Sequence, residues 1–143
     1  MARRKDQRPF IAVHDDIVNH PKMEPLSDKA FRHIIRLWGY SNKFKTDGIV
    51  TDAKAREKGD KVLAELSSPA WPGANPLLKK LDDGRWECHD YLKHNRSAAE
   101  LQELAEAKEA KKSTSGKVGM HKRWHVDRGV VSPDCEFCDP RNE

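Results

Sequence analysis

The sequence predicts an α+β fold, on three observations. An apolar period suited to a helix runs from Ala30 to Trp38. Two short helical stretches separated by Gly59 follow it. Two further segments then flank Asp83-Gly84, the strongest short-range signal of a β-hairpin. The 143 residues suffice for one ordinary domain and an appendage. With 36% hydrophobic and 35% charged residues, a modest core under a polar surface is expected.

Each element has its own signal. Residues 1–9 form a basic arm, and Phe10 to Val13 read as an opening strand or extended segment. Asn19-His20-Pro21 is a turn. Ser27 is a good N-cap, Asp28 complements the helix dipole, and Ala30, Phe31, Ile34, Ile35, Leu37 and Trp38 predict a buried helix to about Ser41. After the Thr46-Asp47-Gly48 turn, Ile49-Val50 is a brief strand. Thr51 or Asp52 caps a helix from Ala53 to Lys58, and Asp60 begins another through Leu66. A long helix followed by two short ones is the pattern of a helix-turn-helix.

Pro69 to Pro76 is a loop, which Trp71 is expected to anchor to the core. The hairpin follows, Leu77–Leu81 with Arg85–Tyr91, in the position of a wing. Residues 10–95 are thus expected to form a winged helix-turn-helix domain. Ser97 to Glu100 has capping-box spacing and opens a linker helix over 97–112, rich in glutamate. Ser113-Thr114-Ser115-Gly116 predicts a flexible hinge over 113–119, leading to a tail at 120–143.

The tail carries the sharpest local chemistry. His121 and His125 stand four apart, so on a helical turn both imidazoles face one side. Cys135 and Cys138 have the spacing that lets two thiolates of one turn meet one ion, and Gly129 and Pro133 in the spacer let the halves come together. Two histidines and two cysteines suit a closed, structural Zn2+ site with no position left for a catalytic water. A tail without metal and a redox dithiol are the alternatives; the acidic neighbours Asp134, Glu136 and Asp139 oppose the dithiol.

Net charge is +4 and unevenly placed. Met1 to Arg96 holds 19 Lys and Arg against 14 Asp and Glu, whereas Ser97 to Glu143 holds 8 against 9. The basic surplus suggests a polyanion partner for the first part. The candidate contacts to double-stranded DNA are Lys54, Arg56, Lys58 and Lys61 on the helix pair, Lys79, Lys80 and Arg85 on the hairpin, and Arg3 and Arg4 in the arm. The acidic hairpin tip, Asp82-Asp83, and the scarcity of Asn, Gln and Arg on the second helix oppose deep base reading. A solvated basic face is the plain alternative.

Other classes find little support. No apolar run is long enough to span a membrane and no secretory h-region follows the basic start, so the expected location is the cytoplasm. Three cysteines do not make a disulfide framework, and Cys88 reads as a small core residue beside Trp86. His89-Asp90 lacks a nucleophile or pocket to serve, so no enzyme activity is expected.

The segments His14 to Lys22, Leu26 to Phe31, Thr46 to Val50 and Trp86 to Leu92 resemble actinobacteriophage helix-turn-helix proteins, themselves similar to the N-terminal winged-helix domain of phage replication initiators and DnaD-like replisome organisers. Gly116 to Val126 with the later Cys-x-x-Cys looks like the tail of such proteins. The resemblance implies DNA binding in phage replication initiation or transcriptional regulation, in the host cytoplasm. The chain departs from it in the Pro69 to Pro76 insertion, and it has no ATPase motif. Two rival readings stand beside it: a non-catalytic adaptor that binds a replication or host protein through the Glu100 to Glu109 helix, and a metal-dependent nuclease, which a fully ligated zinc would exclude from the tail.

Overall fold

A computed structural model describes residues 8–138; Arg3, Arg4 and Lys5 lie outside the described residues. The chain divides into two compact units, Met1–Ala98 and Ala99–Glu143. The first is a mixed helix and sheet unit, α+β, and the second is one long helix with a cysteine- and histidine-bearing end. No helix among the described residues is long and apolar enough to cross a membrane.

Of the two readings of Phe10 to Val13, the strand does not form. Phe10 to Val13 is unpaired extended chain held by side chains: the Ala12 N–H donates to Asn95 Oδ1 at 2.8 Å, and Phe10 is exposed. A single 3-10 turn, Ile17–Asn19, follows. Helix α1, Asp28–Phe44, starts where Ser27 predicts, with the Ala30 N–H donating to Ser27 Oγ. It runs one turn beyond the expected end and stops at Lys45, whose φ of 55° breaks the helical path. Its inward face buries Ala30, His33, Ile34, Leu37 and Ser41.

Strand β1, Ile49–Val50, leads to α2, Asp52–Ala55, capped by the Thr51 side chain. This helix is one turn shorter than expected, and the chain turns at Arg56 to reach Gly59. Helix α3, Asp60–Ser67, buries Val62, Leu63 and Leu66. Strands β2, Leu78–Lys80, and β3, Trp86–Cys88, form the hairpin about Gly84. β1 pairs with the far side of β3, giving an antiparallel sheet in the order β1-β3-β2, with Val50 opposite Trp86 and Leu78 opposite Cys88. Tyr91, read as the end of a strand, instead opens a short helix α4, Tyr91–His94, after Asp90 adopts a left-handed conformation.

The core joins these elements around Ile34, Leu37, Leu66, Leu78, Trp86 and Tyr91. Three polar ties fix the helix ends to it. Glu65 of α3 accepts from both the backbone N–H and the hydroxyl of Ser27, at 2.9 and 3.0 Å, and these donors hold its carboxyl below the usual range. Asp52 accepts from the Trp86 indole at 2.8 Å and from Arg56 at 2.7 Å, which lowers its pKa likewise. Buried His33 donates from Nε2 to the Ala55 carbonyl at 2.9 Å, tying α1 to the end of α2. Cys88 is buried in the core as expected, and burial pushes its thiol pKa up to about 12. Trp71 does not anchor its loop: 46% of its surface is exposed, because Pro69, Pro72 and Pro76 carry the chain outward past the core.

In unit 2, helix α5 spans Ala98–His121 without a break. The stretch 113–119, expected as a hinge, is helical throughout, and the Thr114 hydroxyl donates back to the Ala110 carbonyl at 3.0 Å. α5 buries no residue.

Two glycines of unit 1 with the same left-handed φ separate backbone strain from packing. Gly48 (φ 84°) sits where an added Cβ would lie 2.9 Å from Tyr91 Cβ, whereas Gly84 (φ 85°) has open space. Gly84→Ala is expected to cost about 1–2 kcal/mol from the backbone alone, and Gly48→Ala about 1–3 kcal/mol more from the contact. Urea unfolding of the two variants checks the difference; equal losses would contradict the packing at Tyr91.

Candidate metal centre and nucleic-acid interface

The four tail residues come together. α5 carries His121 at its last turn, and the chain continues in a single π-helical turn, Lys122–Val126, that presents His125. The π turn is closed by Asp127 N–H to the Lys122 carbonyl at 2.9 Å. Gly129, in the left-handed region (φ 65°), reverses the chain, and Val130 N–H returns to the His125 carbonyl at 2.9 Å. Cys135 and Cys138 lie in consecutive tight turns, with Cys138 N–H bonded to the Cys135 carbonyl at 3.0 Å.

The donor atoms face one point. His121 Nδ1 lies 3.3 Å from Cys135 Sγ, 3.3 Å from His125 Nδ1 and 3.6 Å from Cys138 Sγ. His125 Nδ1 and Cys138 Sγ are 3.2 Å apart, and all four donor atoms lie within 4.8 Å of one another. Hydrogen bonds do not account for this. One Nδ1 carries either a single hydrogen or a single lone pair, so it cannot satisfy three neighbours at once. Four donor atoms of this chemistry, this close together, form a group that can hold a metal ion. The Phe137 ring, 5.8 Å from the His121 ring, covers one side, and the ligands themselves are only half-buried.

The basic residues of unit 1 fare differently. Arg56 is bound on both sides, to Asp52 at 2.7 Å and Asp60 at 2.6 Å. Lys54 pairs with Glu57 and lies over the Tyr40 ring, and Lys58 lies 3.7 Å from the same Glu57. Arg85 folds back on Asp83 at 2.7 Å at the hairpin tip. Lys80 lies over the Trp86 ring at 5.8 Å. Lys61 and Lys79 are exposed and take no ion pair among the described residues. Charges already matched by a neighbour add little to the field a polyanion meets, so Lys61, Lys79 and Lys80 are the effective cations of this set.

His89-Asp90, read from the sequence as having no pocket to serve, does line one. A cleft of about 540 Å³ in unit 1 is lined by His14, His20, His89, His94, Asp16, Asp90 and Trp38, residues from the N-terminal chain, α1 and the segment around α4. His14 and His94 meet edge to face, and His89 Nε2 lies 3.3 Å from Asp90 Oδ1. Among the described residues only the tail group converges as metal ligands do. The histidines of this cleft are scattered along the chain, so no spacing could have announced it.

Comparison with protein-family models, with curated proteins and with solved structures returns no match.

The three cysteines should separate cleanly by reactivity. In metal-loaded protein none is expected to react rapidly with a thiol reagent. A chelator should release Cys135 and Cys138, while Cys88 reacts only on unfolding, because burial keeps it a thiol until about pH 12. Counting thiols with and without chelator checks this; free reaction of Cys135 and Cys138 before chelation would contradict the centre.

Proposed function

We propose that unit 1 binds double-stranded DNA as a winged helix-turn-helix and that one structural Zn2+ folds the tail of unit 2, with no catalytic centre in the chain. The observation that carries the first half is topological. The order α1-β1-α2-α3-β2-β3, with β1 closing the sheet beside β3, puts two short helices after a long one and then, beyond the 68–77 loop, a hairpin; α3 packs on α1, and His33 of α1 bonds the end of α2. In such a domain α3 enters the major groove and the hairpin lies against the backbone.

The outward residues of α3 include Lys61, Ala64 and Asp60, none of them suited to bidentate base contacts, so binding is directed to phosphates and weakly selective. What the resemblance to phage helix-turn-helix proteins implies supports a role for this binding in phage DNA replication initiation or transcriptional regulation, in the host cytoplasm.

The zinc assignment rests on donor chemistry and spacing. With Zn–N near 2.0–2.1 Å and Zn–S near 2.3 Å, a tetrahedron has N···N edges of about 3.3 Å and N···S edges of about 3.6 Å. The corresponding separations are 3.3 Å for the two imidazoles and 3.2, 3.3 and 3.6 Å for three imidazole–thiolate pairs. Four protein donors fill the shell, so the ion is structural and not hydrolytic.

A second reading has its own support. The ion pairing of Lys54, Arg56, Lys58 and Arg85 within unit 1, and the exposed Glu100, Glu103, Glu106 and Glu109 of α5, favour an adaptor that docks a replication or host protein. A mobility-shift titration of duplex DNA across salt separates the two. DNA binding predicts a steep loss of affinity with salt. Lys61→Gln, Lys79→Gln and Lys80→Gln together should flatten the logarithmic slope by about 0.9 for each phosphate that is no longer neutralised. No shift at any salt would leave the adaptor reading.

A further inference from the structure

The charge of unit 2 is sorted around its helix as well as along it. At about 100° per residue, Lys108, Lys111 and Lys112 of α5 fall on one arc of about 120°, and Lys122 and Arg123 continue it into the π turn. The positions between them on that arc are Ser115 and Gly119, and the four glutamates of α5 fall outside it. All five cations are exposed, and none takes an ion pair among the described residues. The metal group lies on another side of the helix, with His121. Lys117, on that side, pairs with Glu136 from between the two cysteines at 3.6 Å, so the cysteine loop leaves the basic arc open.

We propose that this arc is a DNA-backbone contact in its own right, carried by unit 2 and held at its C-terminal end by the metal centre. It extends the DNA-binding reading but does not depend on unit 1. From Lys108 to Arg123 the arc spans about 22 Å, at a rise of about 1.5 Å per residue. Over that length a duplex presents one phosphate charge per about 1.7 Å of axis. Ser115 and Gly119 let a phosphate chain approach the helix closely and offer nothing that reads a base edge, so the contact is indifferent to sequence. The partner is duplex rather than single-stranded DNA. The one large aromatic ring near the arc, Trp124, already carries Arg128 over its face at 4.1 Å, and no other Trp, Tyr or Phe on α5 or the π turn supplies a stacking platform. Lys122 and Arg123 sit between His121 and His125 of the candidate metal group, so an ion held there would hold the backbone that carries them.

The test uses the full chain, metal-loaded, binding a duplex of arbitrary sequence followed by fluorescence anisotropy across salt. The triple variant Lys111→Gln, Lys112→Gln, Arg123→Gln should flatten the logarithmic salt slope by about 2.7 if all three reach phosphates, with a loss of roughly tenfold or more at low salt. Lys117→Gln, on the metal side, should change neither. Metal content and helical circular dichroism of the variants guard against unfolding. An unchanged slope in a correctly metallated triple variant overturns the proposal, as does absence of duplex binding at any salt, or a loss confined to single strands. The Lys61, Lys79 and Lys80 variants of unit 1 are read in the same assay. A slope that responds to them and not to the triple variant sinks this proposal while leaving the winged-helix reading intact; the reverse result does the opposite.

Discussion

The ordered form of unit 2 depends on the convergence of four side-chain donors, because its described residues form no hydrophobic core to replace it. α5 buries nothing, and Val118, Met120, Trp124, Val126, Val130, Val131 and Phe137 all leave 38% or more of their surface exposed. A solvated helix of this kind is marginal on its own, and the turns from Lys122 to Cys138 are linked mainly by local backbone bonds. A bound ion supplies what packing does not, on the order of 10 kcal/mol in small metal-folded segments. An ion held there would also set the geometry of the segment attached to it, including the basic residues between His121 and His125.

Unit 1 is stabilised in the opposite way. Its core is continuous from Met23 to Tyr91, and its helix ends are tied by carboxylates and one buried imidazole. Those ties have a consequence for function. Asp52 and Asp60 hold Arg56, Glu57 holds Lys54 and lies near Lys58, and Asp83 holds Arg85, so four of the seven described candidate DNA contacts are matched within the unit. Surface pairs of this kind contribute little stability each, yet they reduce the positive field available to a phosphate chain. Unit 2, whose net composition is slightly acidic, nonetheless lines up five exposed cations without an ion pair among the described residues on one arc of α5 and the π turn. Charge totals by segment therefore point to unit 1, whereas the arrangement of the charges points also to unit 2.

Much of this was legible in the residues. Ser27 and the apolar period fix α1, Asp83-Gly84 fixes the hairpin, and the spacings His-x-x-x-His and Cys-x-x-Cys identify the four donors. These signals are local, carried by a few neighbours. What escaped depends on tertiary placement or on context. His33 lies in the apolar period of α1 but is polar, and only the Ala55 carbonyl makes it a core residue. Trp71 is large and apolar, yet the prolines around it carry it away from the core. Ser113 to Gly119 has the composition of a hinge, but it continues a helix already established upstream and leads into the candidate metal group at His121. The pairing of Arg56 with Asp52 and Asp60 has i,i+4 spacing and was present in the sequence; counting charges without their spacing concealed it.

That one ion joins His121, His125, Cys135 and Cys138 is tested most directly by X-ray absorption on the purified full chain loaded with one equivalent of zinc. The expected first shell is two nitrogens near 2.0–2.1 Å and two sulfurs near 2.3 Å, collapsing when Cys138 is replaced by serine. A shell of oxygens, or one sulfur-free shell unaffected by that replacement, would contradict it.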